Sequence, residues 1–163
     1  AVALDATFRL RSAQASRSVA AKDFYHGYLL TDIAPDELLV ATDFHLPPAN
    51  CGWCCTEIAR RHGDFAIVAV AVLLDCGQDR TIDFASVAVG GAGPAPLRVT
   101  AAEEALVGER LGAEVFRRAG EIAAQAVEPP ADIHASSGYR RHLTGVLVRR
   151  ALATAESRIK GQA

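Results

Sequence analysis

Three stretches of the chain bring together residue types that do chemistry. Cys51-Gly52-Trp53-Cys54-Cys55 contains a C-x-x-C pair, half of a tetrahedral zinc site, with His62 and Cys76 further along. The other half has no matched pair, so buried thiols standing in for larger residues are the simpler account, and no metal ligands are assigned. Gly90-Gly91-Ala92-Gly93-Pro94 could be taken for a phosphate cradle, but Pro94 and Pro96 stand where a dinucleotide fingerprint needs helix amides. A turn between two strands is expected there. Arg60-Arg61-His62-Gly63-Asp64-Phe65-Ala66 is a charged, glycine-hinged turn that delivers one aromatic into the uncharged run 65–74. Such an aromatic can form the edge of a site for a flat ligand, or simply fill the core while Asp64 bonds backbone amides. His26, His45, His134 and His142 have no local Ser, Cys or paired carboxylate around them, so a hydrolytic triad is not supported and no catalytic acid, base or nucleophile is assigned.

The elements that must position these residues are limited by size and composition. A chain of 163 residues suffices for one full domain, or for a small domain plus part of another. Half of it is hydrophobic and 22% charged, with a net charge of -2, the profile of a globular protein. No basic stripe stands out, which argues against a nucleic-acid partner. The uncharged run 65–74 is about half of what crosses a bilayer, so no transmembrane segment is expected. Four cysteines without a secretory signal read as reduced thiols in the cytoplasm. The absence of any Met, even at position 1, suggests a chain processed, cut or cloned from something longer.

Residues 2–11 alternate apolar and polar, the period of a half-buried strand, and a polar hairpin leads to a second strand at 17–21. Strands are also expected at 38–46, ended by Pro47-Pro48, and at 53–60. The Gly63-Asp64 turn then marks a boundary between units at 1–62 and 63–163. The second unit opens with strands at 65–75, 81–89 and 97–99. Thr100 with Glu103 forms a capping box. Helices follow at 111–127, with Val115, Ala119, Ile122, Ala123 and Ala126 on one stripe, and at 137–159, capped by Ser136 or Ser137. Arg140-Arg141 and Arg149-Arg150 on this last helix read as a solvated face or as an electrostatic patch for a partner. The fold class is α+β.

Six collinear blocks carry a resemblance over nearly the whole chain. They are Asp23-Phe24-Tyr25-x-Gly27-Tyr28; Pro35-Asp36-Glu37-Leu38-Leu39; Glu57-x-Ala59-Arg60-Arg61-His62-Gly63-Asp64-Phe65-Ala66; Val89-Gly90-Gly91-Ala92-Gly93 with Pro96-Leu97-Arg98; Ala102-Glu103; and Tyr139-Arg140-Arg141 with Leu147-Val148-Arg149-Arg150-Ala151-Leu152. In order and spacing they resemble the C-terminal portion of the FAD-binding medium subunit of molybdenum hydroxylases, the carbon monoxide dehydrogenase and xanthine dehydrogenase family. The resemblance implies the end of an FAD-binding (PCMH-type) domain, then a C-terminal domain with a small antiparallel sheet packed on three helices.

It also implies a site and a role. Leu39 is similar to the residue that packs on the flavin, and Phe65 falls where the family places Tyr, Phe or Ile beside the isoalloxazine. Thr56 matches a position that is Lys in some members, leaving the flavin's polar edge without that cation. Residues 39–47 are about two residues longer than the family pattern, and Cys54-Cys55 stands where an aromatic is common. The family's two pyrophosphate loops match nothing in this chain, so FAD binding by it alone is not expected. The implied function is that of an oxidoreductase flavoprotein subunit, passing electrons from iron-sulfur clusters through FAD to an acceptor. Its implied partners are a large subunit holding the molybdenum cofactor and a small subunit holding 2Fe-2S clusters, in a higher-order heteromer. The alternative from a different class is a flavin-free domain that only docks other subunits.

Overall fold

Alternation of side chains builds the first sheet. The computed structural model describes residues 1–61 and 63–159, so the part of the zinc reading that falls on His62 lies outside the described residues. After a 3-10 turn at Val2–Leu4 come β1 (Thr7–Arg11), β2 (Ser16–Ala20), α1 (Ala21–Phe24), β3 (Tyr25–Gly27), β4 (Leu30–Thr31) and β5 (Leu38–Asp43). β1 buries Phe8 and Leu10 and exposes Arg9 and Arg11, as period-2 patterning requires. It is the central strand of an antiparallel sheet of order β2-β1-β5, while β3 and β4 pair as a separate hairpin. Phe8, Phe24 and Tyr25 cluster with ring centroids 4.2 to 6.0 Å apart, Tyr25 edge-to-face with both phenylalanines.

The strand expected from residue 2 begins only at Thr7. Ala1 accepts from Leu4 and Ala6 amides, and Asp5 takes a left-handed conformation with φ 44°. The cause is tertiary: Ser86 Oγ donates to the Ala3 carbonyl at 2.7 Å, and Arg98 Nη1 donates to Asp5 Oδ1 at 2.8 Å. The segment is fastened to a second sheet rather than extended along the first.

That second sheet contains β6 (Gly52–Ile58), β7 (Val68–Cys76), β8 (Ile82–Gly90) and β9 (Leu97–Arg98), antiparallel in the order β6-β7-β8-β9. β6, expected to close the first unit, instead pairs with β7 from Gly52↔Leu74 to Ile58↔Val68. A division after residue 62 therefore runs through a continuous hydrogen-bonded sheet. Cys54, Val70, Val72, Leu74, Val87 and Val89 face α2 (Thr100–Glu104), α3 (Ala113–Ala126) and α4 (Ser137–Glu156) in one core. β8 is buried on both faces, because the helices cover one and residues 1–4 lie against the other. Ala88 belongs to the core formed by Val2, Ala6, Phe8, Leu10, Ala21 and Phe24, so the two units share packing.

Two helix starts differ in kind. Ser136 Oγ accepts from the Tyr139 amide at 3.2 Å and caps α4. Thr100 is already helical and makes no cap bond. Glu103 is committed elsewhere: its Oε1 accepts from the Val87 amide at 2.7 Å and from Arg98 Nε. The buried face of α4 takes in Arg140, Thr144, Val148, Leu152 and Ala155 beside Leu143 and Leu147, while Tyr139 and Arg150 are exposed. Among the described residues no helix is long and apolar enough to cross a membrane.

Candidate functional site

The chain leaves β6 at Ile58, loops through the charged turn and returns as β7 at Val68. The Ile67 amide donates to the Ile58 carbonyl at 2.7 Å and closes the loop. Gly63 has φ +87°, a conformation that suits glycine, and the Asp64 amide donates to Arg61. The strand expected from residue 65 therefore starts three residues later, since both backbone groups of Ile67 have partners outside a ladder. Phe65 is left fully exposed, with a relative accessibility of 101%, so it fills no core.

What fixes this turn is Arg140, which the sequence reading placed with Arg141 on a solvated face or partner patch. Arg141 is exposed, but Arg140 is only 6% exposed. Its Nη1 donates to the Ile67 carbonyl and, at 2.9 Å, to the Gly91 carbonyl; its Nη2 donates to Asp132 Oδ2 at 2.6 Å. Asp132 Oδ1 accepts from the His134 and Ala135 amides, both at 2.9 Å. Arg60 Nη1 lies 3.1 Å from His134 Nδ1. Arg60, Asp132, His134 and Arg140 line a cleft of about 430 Å³ together with Asp64, Phe65, Ala66 and Ile67.

The Arg140 guanidinium, followed by the two backbone amides, holds the Asp132 carboxyl down at about 2. A carboxylate whose folded pKa is depressed stabilises the fold above its unfolded pKa, and that contribution drains away as pH falls from roughly 4 towards 2. Asp132→Asn should therefore lower stability near neutrality and flatten the acid side of the stability curve, so that the variant and the wild type converge as pH falls towards 2. Thermal melts across that range measure it, and an unaltered acid limb would show that the pair does not contribute.

The other two expected contacts lie elsewhere. Leu39 is on β5, opposite Leu10 and 44% exposed. Pairing steps from Ala41 to Leu39 across Arg9 and Leu10, so Val40 forms a bulge in the segment expected to carry extra residues. Its approach is fixed by Glu37, which the sequence did not single out as a site residue. Arg17 Nε and Nη2 donate to the two Glu37 oxygens, each at 2.7 Å, and the Ala34 amide donates to Oε2 at 2.9 Å. The Arg17 guanidinium holds the Glu37 carboxyl down at about 2. Thr56 sits on β6 opposite Val70, on the face shared with Cys54 and turned to the helices. Leu39, Thr56 and Phe65 thus stand on three different elements, and the Phe65 cleft includes neither of the others.

The remaining motifs resolve as structure. Cys54 enters the core while Cys55 is exposed on the opposite face of β6. Among the described residues no three His, Cys, Asp or Glu side chains come together as a metal site. Gly91 has φ +75°, and a Cβ there would sit 2.6 Å from the Ile67 carbonyl oxygen. The glycine turn thus presses against the Phe65 loop and leads from β8 into β9, which is a strand-to-strand turn and not a phosphate cradle. Between the two units lies a smaller cleft of about 170 Å³, with Tyr25 on one side and Cys55, Ala71 and Ala88 on the other. Its lining carries no charged side chain.

Residues 53–155 match the model of the CO dehydrogenase flavoprotein C-terminal domain. The chain belongs to this family. It is 36% identical over 157 residues to the nicotine 6-hydroxylase medium subunit of Paenarthrobacter nicotinovorans, covering 96% of this chain and 54% of that protein. It is 32% identical to the carbon monoxide dehydrogenase medium chain of Afipia carboxidovorans, with the same coverage. The crystal structure of a Cu,Mo-CO dehydrogenase in its cyanide-inactivated form superposes with a TM-score of 0.90 at 32% identity, again over 96% of this chain and 54% of that one. The chain thus spans about half the length of the curated relatives it matches. Family membership and the α+β fold agree with the sequence reading. The match begins at Trp53, inside β6, in line with that strand's place in the second sheet.

Proposed function

We propose that this chain is the C-terminal half of an FAD-binding medium subunit of a molybdenum hydroxylase or dehydrogenase, and that it forms one wall of the flavin site. In that assembly FAD carries electrons from the 2Fe-2S clusters of a small subunit to an acceptor, after substrate oxidation at the molybdenum cofactor of a large subunit. The observation that carries the reading is Phe65: a fully exposed aromatic on a turn whose base is bonded to a buried arginine, in a chain of this family. An exposed ring held in place suits a planar partner, and it can set the polarity at that partner's edge. Leu39 would supply a second apolar contact across the sheets, and Thr56 a neutral group where some relatives place a cation. The boundary between the two units is proposed to lie at residues 44–51, between β5 and β6, rather than after residue 62. Cys51, Cys54 and Cys55 are free thiols, which suits a reducing compartment, and the assembly is proposed to work in the cytoplasm.

The test is flavin uptake. The protein is purified as residues 1–163 and, separately, joined to the upstream half of a relative's length, and each is given FAD and desalted. The longer protein should keep stoichiometric FAD with its visible absorbance bands, and residues 1–163 alone should lose them. A longer protein that stays colourless would overturn the flavoprotein reading in favour of a flavin-free docking domain.

A further inference from the structure

We infer that Arg140 is a positioning residue for Phe65, acting on the flavin edge without touching it. The inference rests on the flavin reading above. Three segments distant in sequence converge on this one guanidinium: the end of the Phe65 turn through the Ile67 carbonyl, the exit of β8 through the Gly91 carbonyl, and the coil before α4 through Asp132. Arg140 itself issues from the first turn of α4, a helix packed along β6 and β7, so the anchor belongs to the helix layer that covers the second sheet. Phe65 lies two residues from the bonded carbonyl. A turn fixed at Ile58 on one side and at Arg140 on the other has little freedom left with which to move its aromatic.

The arrangement is costly to build, which argues against an incidental contact. A charge this deeply buried is tolerated only with good partners, and its Nε has none. Gly91 is part of the same device. Any Cβ there would collide with the Ile67 carbonyl, so glycine lets that oxygen sit within reach of Nη1. Lysine cannot replace the arginine, because a single ammonium on a flexible stem cannot span three acceptors set in a fork.

A double-mutant cycle in the full-length subunit within its assembled enzyme separates positioning from plain stability. Flavin content, the visible band of bound FAD and the rate at which reduced flavin passes electrons to a soluble dye are read for wild type, Arg140→Lys, Phe65→Ala and the double variant. Arg140→Lys should keep its FAD, shift the band and change the dye rate about three- to tenfold, whereas in the Phe65→Ala background the same change should add less than about twofold. An Arg140→Lys enzyme with the wild-type band and rate would overturn the inference, as would an effect that recurs at full size without Phe65. If Arg140→Lys fails to melt cooperatively, Asp132→Asn takes its place. It loosens the same anchor from the exposed side and should give a smaller shift of the same sign, also cancelled by Phe65→Ala. A wild-type subunit that binds no FAD would instead overturn the flavin reading itself.

Discussion

Phe65→Ala should leave the fold as stable as before and change only the flavin. The side chain is fully exposed, and surface substitutions away from caps and buried networks usually fall within about 0.5 kcal/mol. The turn keeps its backbone bonds, since these come from Ile67, Ile58 and Arg140. In the proposed flavin site, loss of the ring would open the edge of the isoalloxazine to water and raise local polarity. The expected result is a melting midpoint within about 2 °C of wild type, together with a roughly tenfold change in FAD retention or in flavin reoxidation by a dye, worth about 1.4 kcal/mol. Phe65→Tyr should restore most of it. A drop of many degrees with an unaltered flavin would mean that Phe65 packs against protein instead.

Gly52→Ala should have the opposite profile, a heavy loss of stability from one methyl group. A Cβ at this position would lie 1.9 Å from the Ala155 carbonyl oxygen and 3.0 Å from Ile159 Cγ1. Neither β6 nor α4 can give way without shearing the layer that both share with Cys54, Leu74 and Leu152. Backbone cannot rotate aside as a side chain can, so about 3 kcal/mol or more is expected, at the upper end for overpacking. Gly112→Ala serves as the control. Nothing lies within 4 Å of its Cβ position, and its φ of 169° is ordinary extended backbone. Urea midpoints of the two variants should differ clearly, and equal midpoints would show that α4 does not press on β6 as described.

Where a local pattern decided the structure, the sequence was readable. Alternation at Thr7–Arg11 and the β-branched run before Asp75 each gave a strand, and Ser136 gave a helix start, because those outcomes depend on neighbours in the chain. Residues 2–4 alternate just as well but curl into a 3-10 turn, since Ser86 and Arg98, more than eighty residues away, hold them down. Glu103 had the spacing of a capping box and is drawn off by Val87 and Arg98 for the same kind of reason.

The candidate site was legible in part. The turn and its aromatic stood out, but Arg140 did not, because a basic pair on a helix usually faces water. Only Asp132, Gly91 and Ile67, from three other segments, make its burial tolerable. One local sign was available: Val148, Leu152 and Ala155 extend the stripe of Leu143 and Leu147 in a direction that also takes in Arg140 and Thr144. Glu37 was hidden likewise, since its partner Arg17 lies twenty residues upstream on another strand.

The place of β6 at the margin of the second sheet has a practical side. A piece of this protein cut to begin at Gly63 would lose that strand and leave bare, along an apolar stretch, those amides and carbonyls of β7 between Val68 and Leu74 that bond to β6. Such a margin invites other copies of the chain to pair with it. β6, which carries Trp53 and Glu57 outward, acts as the cover that keeps the sheet to itself.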